Sequence, residues 1–477
     1  MNSTHGTAMP EVLRVAIIGS GPSAFYAAER LLKTPDLNVE IDIFERLPTP
    51  FGLVRGGVAP DHAKIKSVTK VYDKIASDPR VRFYGNVTFG KDVTRADLAE
   101  FYHAVIFAVG AQTDRHMGIP GENLSGSYAA TEFVGWYNAH PDYRDFQFDL
   151  TQTSAAVIGN GNVAMDVARI LARTPEELLA TDIADYAIDA LRNSNLRDIY
   201  VLGRRGPAQA AFTNPEIKEL GEMPGADVIV APEEVALDDL SKASLAANGD
   251  RSAERNVEIL TRYSEKSLDG KKRRIIFRFL VSPVELIGND HVEAIRIVHN
   301  DLYKTEDGTL RPRPNGREEV IPVGLVFRSI GYKGVPLPDV PFNEKAGVIP
   351  NRQGRVIDPK TDAVVPGDYV VGWIKRGPSG IIGTNKPDSV ETAERLLEDV
   401  AANNLPQPAK PSRGSMESLL NTRGIHYVTY QDWQTLDSLE QKNGQAQGRP
   451  RIKYSRVDDM LKAIDLADAD QLEPSLD

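Results

Sequence analysis

No cysteine occurs among the 477 residues. A disulfide framework, a thiolate-held zinc or iron–sulfur centre and a dithiol that stores two electrons are therefore excluded. Any redox chemistry must use a borrowed cofactor. Long apolar runs are also missing: there is no stretch of about 18 uncharged apolar residues, and the opening MNSTHGTAMPEVLRV has no basic segment followed by an apolar one. A soluble, cytoplasmic protein is expected. Positive charge is not in excess either, with Lys+Arg 56 against Asp+Glu 67 and a net charge of −11. That balance argues against general nucleic-acid binding but leaves room for a local basic face that receives an acidic partner. What is present is 41% hydrophobic residues in a chain long enough for two or three domains with real cores.

The apolar residues fall in a recognisable order. Val12 to Ile18 is nearly all apolar and β-branched, as in a strand buried on both faces of a parallel sheet, and is followed by GSGPSA and the helix-like FYAAERLLK. Val39 to Phe44 reads as a second strand ending in Glu45. A helix-like stretch from Pro60 to Ala76, a short strand near Val81 and a strand in His103 to Gly110 follow. The pattern then restarts with strand Ala155 to Ile158, turn GNGNVA, helix MDVARILAR and strand Ile199 to Leu202, an internal duplication of architecture. Arg274 to Ile287 and Val292 to Val298 read as antiparallel strands, with strand-like runs at Glu319 to Ile330 and Asp368 to Trp373. A helix is expected from about Pro387 to Val400, and LPQPAKPSRGS then opens a polar, linker-like C-terminal appendage.

Each half carries a nucleotide cradle. Gly19-Ser20-Gly21-Pro22-Ser23-Ala24 has the G-x-G-x-x-A spacing: the first glycine permits a sharp turn, the second lets backbone approach a pyrophosphate, and the helix N-terminus offers free N–H groups. Glu45 lies about 20 residues on at a strand end, where a carboxylate can accept bonds from ribose hydroxyls. A bare Gly-rich turn with a solvated glutamate would show the same letters, but strand, turn, helix and acid together favour an adenosine diphosphate ribose. Gly159-Asn160-Gly161-Asn162-Val163-Ala164 repeats the spacing, so two dinucleotides are expected. At its next strand end stand Arg204 and Arg205 where the first half has Glu45. Forked guanidinium bonds suit a phosphate dianion that a carboxylate would repel, so the second site prefers NADP over NAD unless the arginines serve only a surface ion-pair network.

The strings GSGPSAFYAA, ERLPTPFGLVRGGVAPDHAKIK, VIGNGNVAMDVARIL, GRRGPAQAAFT and GWIKRGPSGIIGTNKPDS resemble the adrenodoxin-reductase-like ferredoxin–NADP reductases, particularly the actinobacterial type, from about Val12 to Glu398. The resemblance implies an α/β fold of two Rossmann-like dinucleotide-binding domains, glutathione-reductase-like and of the adrenodoxin reductase type. Residues 1–113 would begin the FAD-binding domain, 114–337 would form the NADP-binding domain, and 338–477 would complete the FAD-binding domain and carry the appendage from about 405. FAD would meet Gly19, Ser20, Gly21, Pro22, Ser23, Glu45, Leu53 and Phe89, with Trp373, Gly380, Ile381 and Ile382 closing over the flavin end. NADP(H) would be held by Asn160, Gly161, Asn162, Val163, Arg204, Arg205 and Glu216, helped by Arg115. Asp368 resembles the ribityl-binding acid of other flavoproteins. By the same resemblance His62 and Glu219 border the nicotinamide pocket, as a charged, oriented pair that tunes hydride transfer; the plain alternative is an exposed histidine and one charge of a helix face. No metal site is expected.

Thioredoxin- and glutathione-reductase relatives discharge through a cysteine pair, which this chain lacks, so the flavin must deliver to an outside acceptor, one electron at a time. An acidic ferredoxin is the expected partner, steered by complementary patches. Lys64, Lys66, Lys70 and Lys74, supported by Lys375 and Arg376, form the preferred docking face, and Lys271 to Arg274 with Arg278 form a second basic cluster. Two rival readings stay open: an FAD-dependent NADPH monooxygenase, and a non-enzymatic dinucleotide-binding subunit of a larger redox complex.

Overall fold

The computed structural model describes residues 10–472. Two sheets organise it, the first parallel except at one edge, where Asn351–Arg352, Arg355–Ile357 and Val364–Val370 pair antiparallel, and the second parallel throughout. The first has seven strands in the order Asn351–Arg352, Arg355–Ile357, Val364–Val370, Ala104–Phe107, Leu13–Ile18, Val39–Phe44, Val81–Tyr84. Leu13–Ile18 is buried at every position, and it pairs in parallel with both Val39–Phe44 and Ala104–Phe107. Such a strand has no solvent face, which is why its sequence does not alternate. The second sheet has six parallel strands in the order Ser127–Ala129, Leu325–Arg328, Ser154–Ile158, Asp198–Leu202, Arg273–Arg278, Ala226–Val230. The chain crosses between the sheets twice, and the two crossings pair antiparallel as Thr113–Asp114 with Tyr332–Lys333.

Three sequence expectations change here. The run Glu319 to Ile330 is divided at Val323–Gly324 between the hairpin strand Leu310–Pro322 and the parallel strand Leu325–Arg328. The run Arg274 to Ile287 is not one antiparallel strand: Leu280 takes a positive φ of 52° and splits it. Arg273–Arg278 enters the parallel sheet, because Ile275 and Phe277 are buried in its core. Only Val281–Ile287 joins the antiparallel hairpin of Ala294–Lys304 and Leu310–Pro322. Likewise the helix-like Pro60 to Ala76 is broken into Ala63–Lys66 and Thr69–Ala76, preceded by a loop that carries Asp61 and His62.

The C-terminal region is built into the structure. Helix Tyr430–Gln445 starts in a capping box of Thr429 and Asp432 and buries Trp433 and Leu436 in the core of the first sheet. Glu440, 0% exposed, accepts both terminal N–H groups of Arg55 at 2.8 and 2.6 Å. Residues 446–456 then run across to the second unit. The buried Arg449 side chain donates to the carbonyls of Thr181 and Ile183 and pairs with Asp185. Buried Lys453 reaches the carbonyls of Arg55 and Asn138, each at 3.2 Å, and Asp182 Oδ2 at 3.2 Å. Among the described residues no helix is long and apolar enough to cross a membrane.

Candidate functional site

The two cradles have the same backbone physics. Gly19 has φ +101° and Gly159 φ +125°, and a Cβ at either would stand 2.6 Å from the Ala108 carbonyl oxygen or 2.2 Å from that of Ser329. Only glycine fits between these strand ends. Gly21 and Gly161 have ordinary φ, and a Cβ there would meet nothing within 4 Å. Their restriction is therefore not imposed by protein atoms; the open space lies where backbone would approach a ligand. Helices Pro22–Leu32 and Asn162–Ala172 begin at these glycines with no side-chain cap, leaving their first N–H groups for an anion. Both cradles fit a pyrophosphate.

The strand ends differ as the sequence suggests. Glu45 accepts the backbone N–H and hydroxyl of Ser20 at 3.2 and 2.8 Å, and the N–H of Leu47 at 3.1 Å. Its carboxylate is thus oriented over the first cradle. Arg204 is exposed and Arg205 half-buried, and among the described residues neither has a carboxylate within ion-pair distance. Burial and the adjacent Arg204 charge pull Arg205 below the usual guanidinium value. Among the described residues these two neighbouring cations have no counter-charge and belong to no salt-bridge network, which leaves them able to receive an anion.

The segment Glu45 to Val54 folds back over the first cradle. Phe51 adopts φ 82°, held by its N–H to Ser20 O at 3.0 Å and by edge-on packing of Trp433 at 5.8 Å. Gly52 follows so closely that a Cβ would sit 3.1 Å from the Gly21 Cα, and Leu53 is 42% exposed beside it. Phe89 packs edge-on against Phe107 at 5.7 Å. From the later part of the chain, Gly372 lies against Ser23, where a Cβ would meet its hydroxyl at 2.5 Å, and the Trp373 ring stacks on Tyr332 at 5.3 Å. Ile381 is 59% exposed, Ile382 half-buried, and Gly380 has φ +82°. In the second unit Val163, Ser329, Gly331 and Tyr332 line a cleft. The Arg115 N–H donates to Gly331 O at 3.1 Å and its exposed side chain passes alongside; Asn160 O accepts from Ala211 N, and Asn162 Oδ1 from Thr213 N.

His62 and Glu219, which lie 157 residues apart in the chain, are in contact: His62 Nε2 stands 3.0 Å from Glu219 Oε2. Glu216 Oε2 is 3.9 Å from the same nitrogen, and Asp166 Oδ1 is 3.8 Å from Nδ1. Glu216 is thus brought into this cluster, where it accepts from Arg169 Nη1 at 3.1 Å. Burial works against the imidazolium, but the Glu219 hydrogen bond and the charges of Asp166 and Glu216 outweigh both it and Arg169, so His62 stays protonated above its ordinary value. Glu219 is held below the usual carboxylate range by that same bond. Burial raises Glu216 and Asp166. The exposed-histidine alternative does not hold.

Several expected cations are already spent. Half-buried Lys66 pairs with Asp182 at 2.6 Å, and buried Lys375 with Glu391 at 2.6 Å and Asp388 at 3.1 Å. Arg376 donates to Ser379 O and Asn385 Oδ1. In the second cluster Arg274 pairs with Asp198, and Arg278 with Glu234 and Glu319. Asp368 is taken up by Arg95. Sequence reasoning missed Asp61, Arg169 and Arg173. The available signal was charge at i, i+3 and i+7 inside the otherwise apolar helix MDVARILAR.

The pyridine nucleotide-disulphide oxidoreductase family model matches residues 13–195. The chain is 46% identical to the NADPH-ferredoxin reductase FprA of Mycobacterium leprae, over 94% of this chain and 97% of that protein. To the human mitochondrial NADPH:adrenodoxin oxidoreductase it is 40% identical, over 96% of this chain and 94% of that protein. The solved structure of Mycobacterium tuberculosis FprA in complex with NADPH matches with a TM-score of 0.89 at 44% identity, covering 95% of this chain and 99% of that one.

Proposed function

This chain belongs to the adrenodoxin-reductase-like ferredoxin–NADP reductases, and from that premise we propose how its own residues share the reaction. Its cofactors are FAD and NADP(H), and it moves electrons between NADPH and a ferredoxin. When bound, FAD supplies the group that takes hydride as an electron pair and passes electrons on singly. The monooxygenase and non-enzymatic readings have no support in this kinship.

Glu45 fixes the adenosine ribose of the flavin dinucleotide, and the Gly19–Ser23 turn seats its pyrophosphate. Leu53, Phe89, Trp373 and the Gly380–Ile382 segment flank the ring system and keep water from it. Gly161 to Val163 seat the second pyrophosphate, with Asn160 and Arg115 alongside, while Arg204 and Arg205 bind the 2′-phosphate. His62 and Glu219, with Glu216, border the nicotinamide and hold a proton between imidazole and carboxylate. Residues 1–113 and 338–477 compose the flavin domain and 114–337 the NADP domain, in keeping with the paired crossings at Thr113–Asp114 and Tyr332–Lys333. The observation that carries this reading is the contrast at equivalent strand ends: an oriented carboxylate at one and, at the other, two guanidinium groups with no carboxylate partner among the described residues.

The partner is an acidic iron–sulfur ferredoxin. Lys64, Lys70 and Lys74 are exposed and make no ion pair among the described residues, and Ile65 and Val71, both 42% exposed, lie between them in sequence. Without Lys66 and Lys375 the docking face is narrower than the sequence implies. Anaerobic stopped-flow tests both halves. NADPH is expected to reduce the bound flavin far faster than NADH does. Delivery to ferredoxin should slow as ionic strength rises from about 0.01 to 0.15 M, and again when the three lysines are changed to Glu, with the NADPH step intact. Delivery indifferent to both removes this face, and a protein that takes up no FAD removes the first cradle.

A further inference from the structure

We propose that Asp61 is a positioning residue, clamped between Arg169 and Arg173 so that the loop carrying His62 is held against the helix carrying Glu219. Asp61 belongs to the loop after the first unit's Leu53–Gly56 turn, whereas both arginines follow the second cradle, one helical turn apart. Arg169 is 0% exposed and donates to Asp61 Oδ2 at 2.8 Å and Oδ1 at 3.1 Å, to Asp166 at 2.6 Å and to Glu216 at 3.1 Å. Arg173 donates to Asp61 Oδ2 at 2.8 Å and, through Nη2, to Glu219 Oε1 at 3.3 Å.

One guanidinium therefore touches both the chain neighbour of His62 and the carboxylate bonded to His62. The contacts close a ring: Asp61 to Arg173, Arg173 to Glu219, Glu219 to His62, and His62 back to Asp61 through the main chain. Its four members come from three elements distant in sequence, so the ring exists only when the two units meet in this register. A forked aspartate shared by two guanidinium groups resists both rotation and sliding of the loop. Asp61 is held at a carboxyl value of about 2 by this pairing, which overcomes the opposing effect of burial, so the clamp stays charged at every working pH.

The inference rests on the reading that His62 and Glu219 border the nicotinamide, and the experiment separates the two. The charged groups facing His62 are Asp61 on its own loop, Asp166, Arg169 and Arg173 from the helix Asn162–Ala172 and its end, and Glu216 and Glu219 from the helix Asn214–Gly221. By charge alone Asp61→Asn should lower the His62 titration midpoint and Arg173→Gln should raise it. A positioning role gives the same sign to both, because either change loosens the Glu219 bond that holds the proton on the ring.

The measurement is an NMR titration of the His62 ring protons in the FAD-loaded protein, assigned through their loss in His62→Gln. Both variants are expected to lower the midpoint, by about one pH unit. In stopped-flow, both should slow limiting flavin reduction by NADPH about tenfold while leaving NADPH affinity within about threefold, the signature of misplaced rather than missing groups. A midpoint that rises or stays fixed in Arg173→Gln overturns the clamp. Arg173 is 17% exposed at a helix end, so this variant serves even if Asp61→Asn fails to fold. If His62→Gln leaves the limiting rate unchanged, the nicotinamide reading falls instead, and the midpoints alone decide the clamp.

Discussion

Replacing Arg204 and Arg205 together by Ala isolates the coenzyme choice. Among the described residues neither guanidinium has a carboxylate partner whose loss would offset the change, and neither side chain supports the core. A hydrogen bond to a charged group contributes about 1.5–3 kcal/mol. Exposed Arg204 belongs at the lower end, about 1.5 kcal/mol, and half-buried Arg205 nearer 2 kcal/mol. Their sum, about 3.5 kcal/mol, corresponds to about a 300-fold loss of kcat/KM for NADPH at about 1.4 kcal/mol per decade. NADH has no 2′-phosphate and should lose less than about threefold. The assay is steady-state reduction of ferricyanide at several concentrations of each coenzyme, with the thermal midpoint as a folding control. Equal losses for both coenzymes, or an NADPH loss below about tenfold, would refute the assignment of the phosphate to this pair.

The cradle glycines should separate into two kinds. Gly159→Ala forces a Cβ to 2.2 Å from the Ser329 carbonyl at φ +125° and is expected to cost several kcal/mol, about 3 or more, in chemical denaturation. Gly161→Ala meets no protein atom within 4 Å, so stability should hold while NADP affinity, read by calorimetry, falls; an unfolded Gly161→Ala protein contradicts that account. Asp61 has a folded carboxyl value of about 2 against an ordinary 3.8, so it adds about 2 kcal/mol of stability above pH 4, lost as pH falls through 2. Asp61→Asn should flatten that acid limb of the stability curve, and an unchanged limb would show that the carboxylate is not so depressed. Lys453→Met leaves Lys66 on Asp182 but empties the contacts to Arg55 O and Asn138 O, at a cost of about 2–4 kcal/mol. Hydrogen exchange should then quicken in residues 446–456, and protection equal to that of the unaltered protein would argue that Lys453 does not fasten this strap.

Legibility followed the range of each interaction. Leu13–Ile18 could be read because burial on both faces leaves a mostly apolar run rich in β-branched residues, and local backbone demands fix Gly19 and Gly159 wherever the rest of the chain goes. Arg273–Arg278 was misread because charges at both ends hide a short buried core, and the strand's neighbours, Asp198–Leu202 and Ala226–Val230, lie elsewhere in the sequence. The lysine face was overcounted for the same reason: Asp182 is 116 residues from the Lys66 it neutralises.

By itself the chain's order of residues determined the two cradles, the acid at one strand end and the arginine pair at the other, and the lack of any thiol exit for electrons. Those properties depend on spacing within some tens of residues and on composition. Only the tertiary structure decided which charges are free and which are consumed, that residues 446–456 fasten one unit to the other, and that Asp61, Arg169 and Arg173 bind His62 to Glu219. Ion pairs between segments a hundred or more residues apart leave no periodicity in the sequence, because their partners are chosen by how two sheets meet and not by position along the chain.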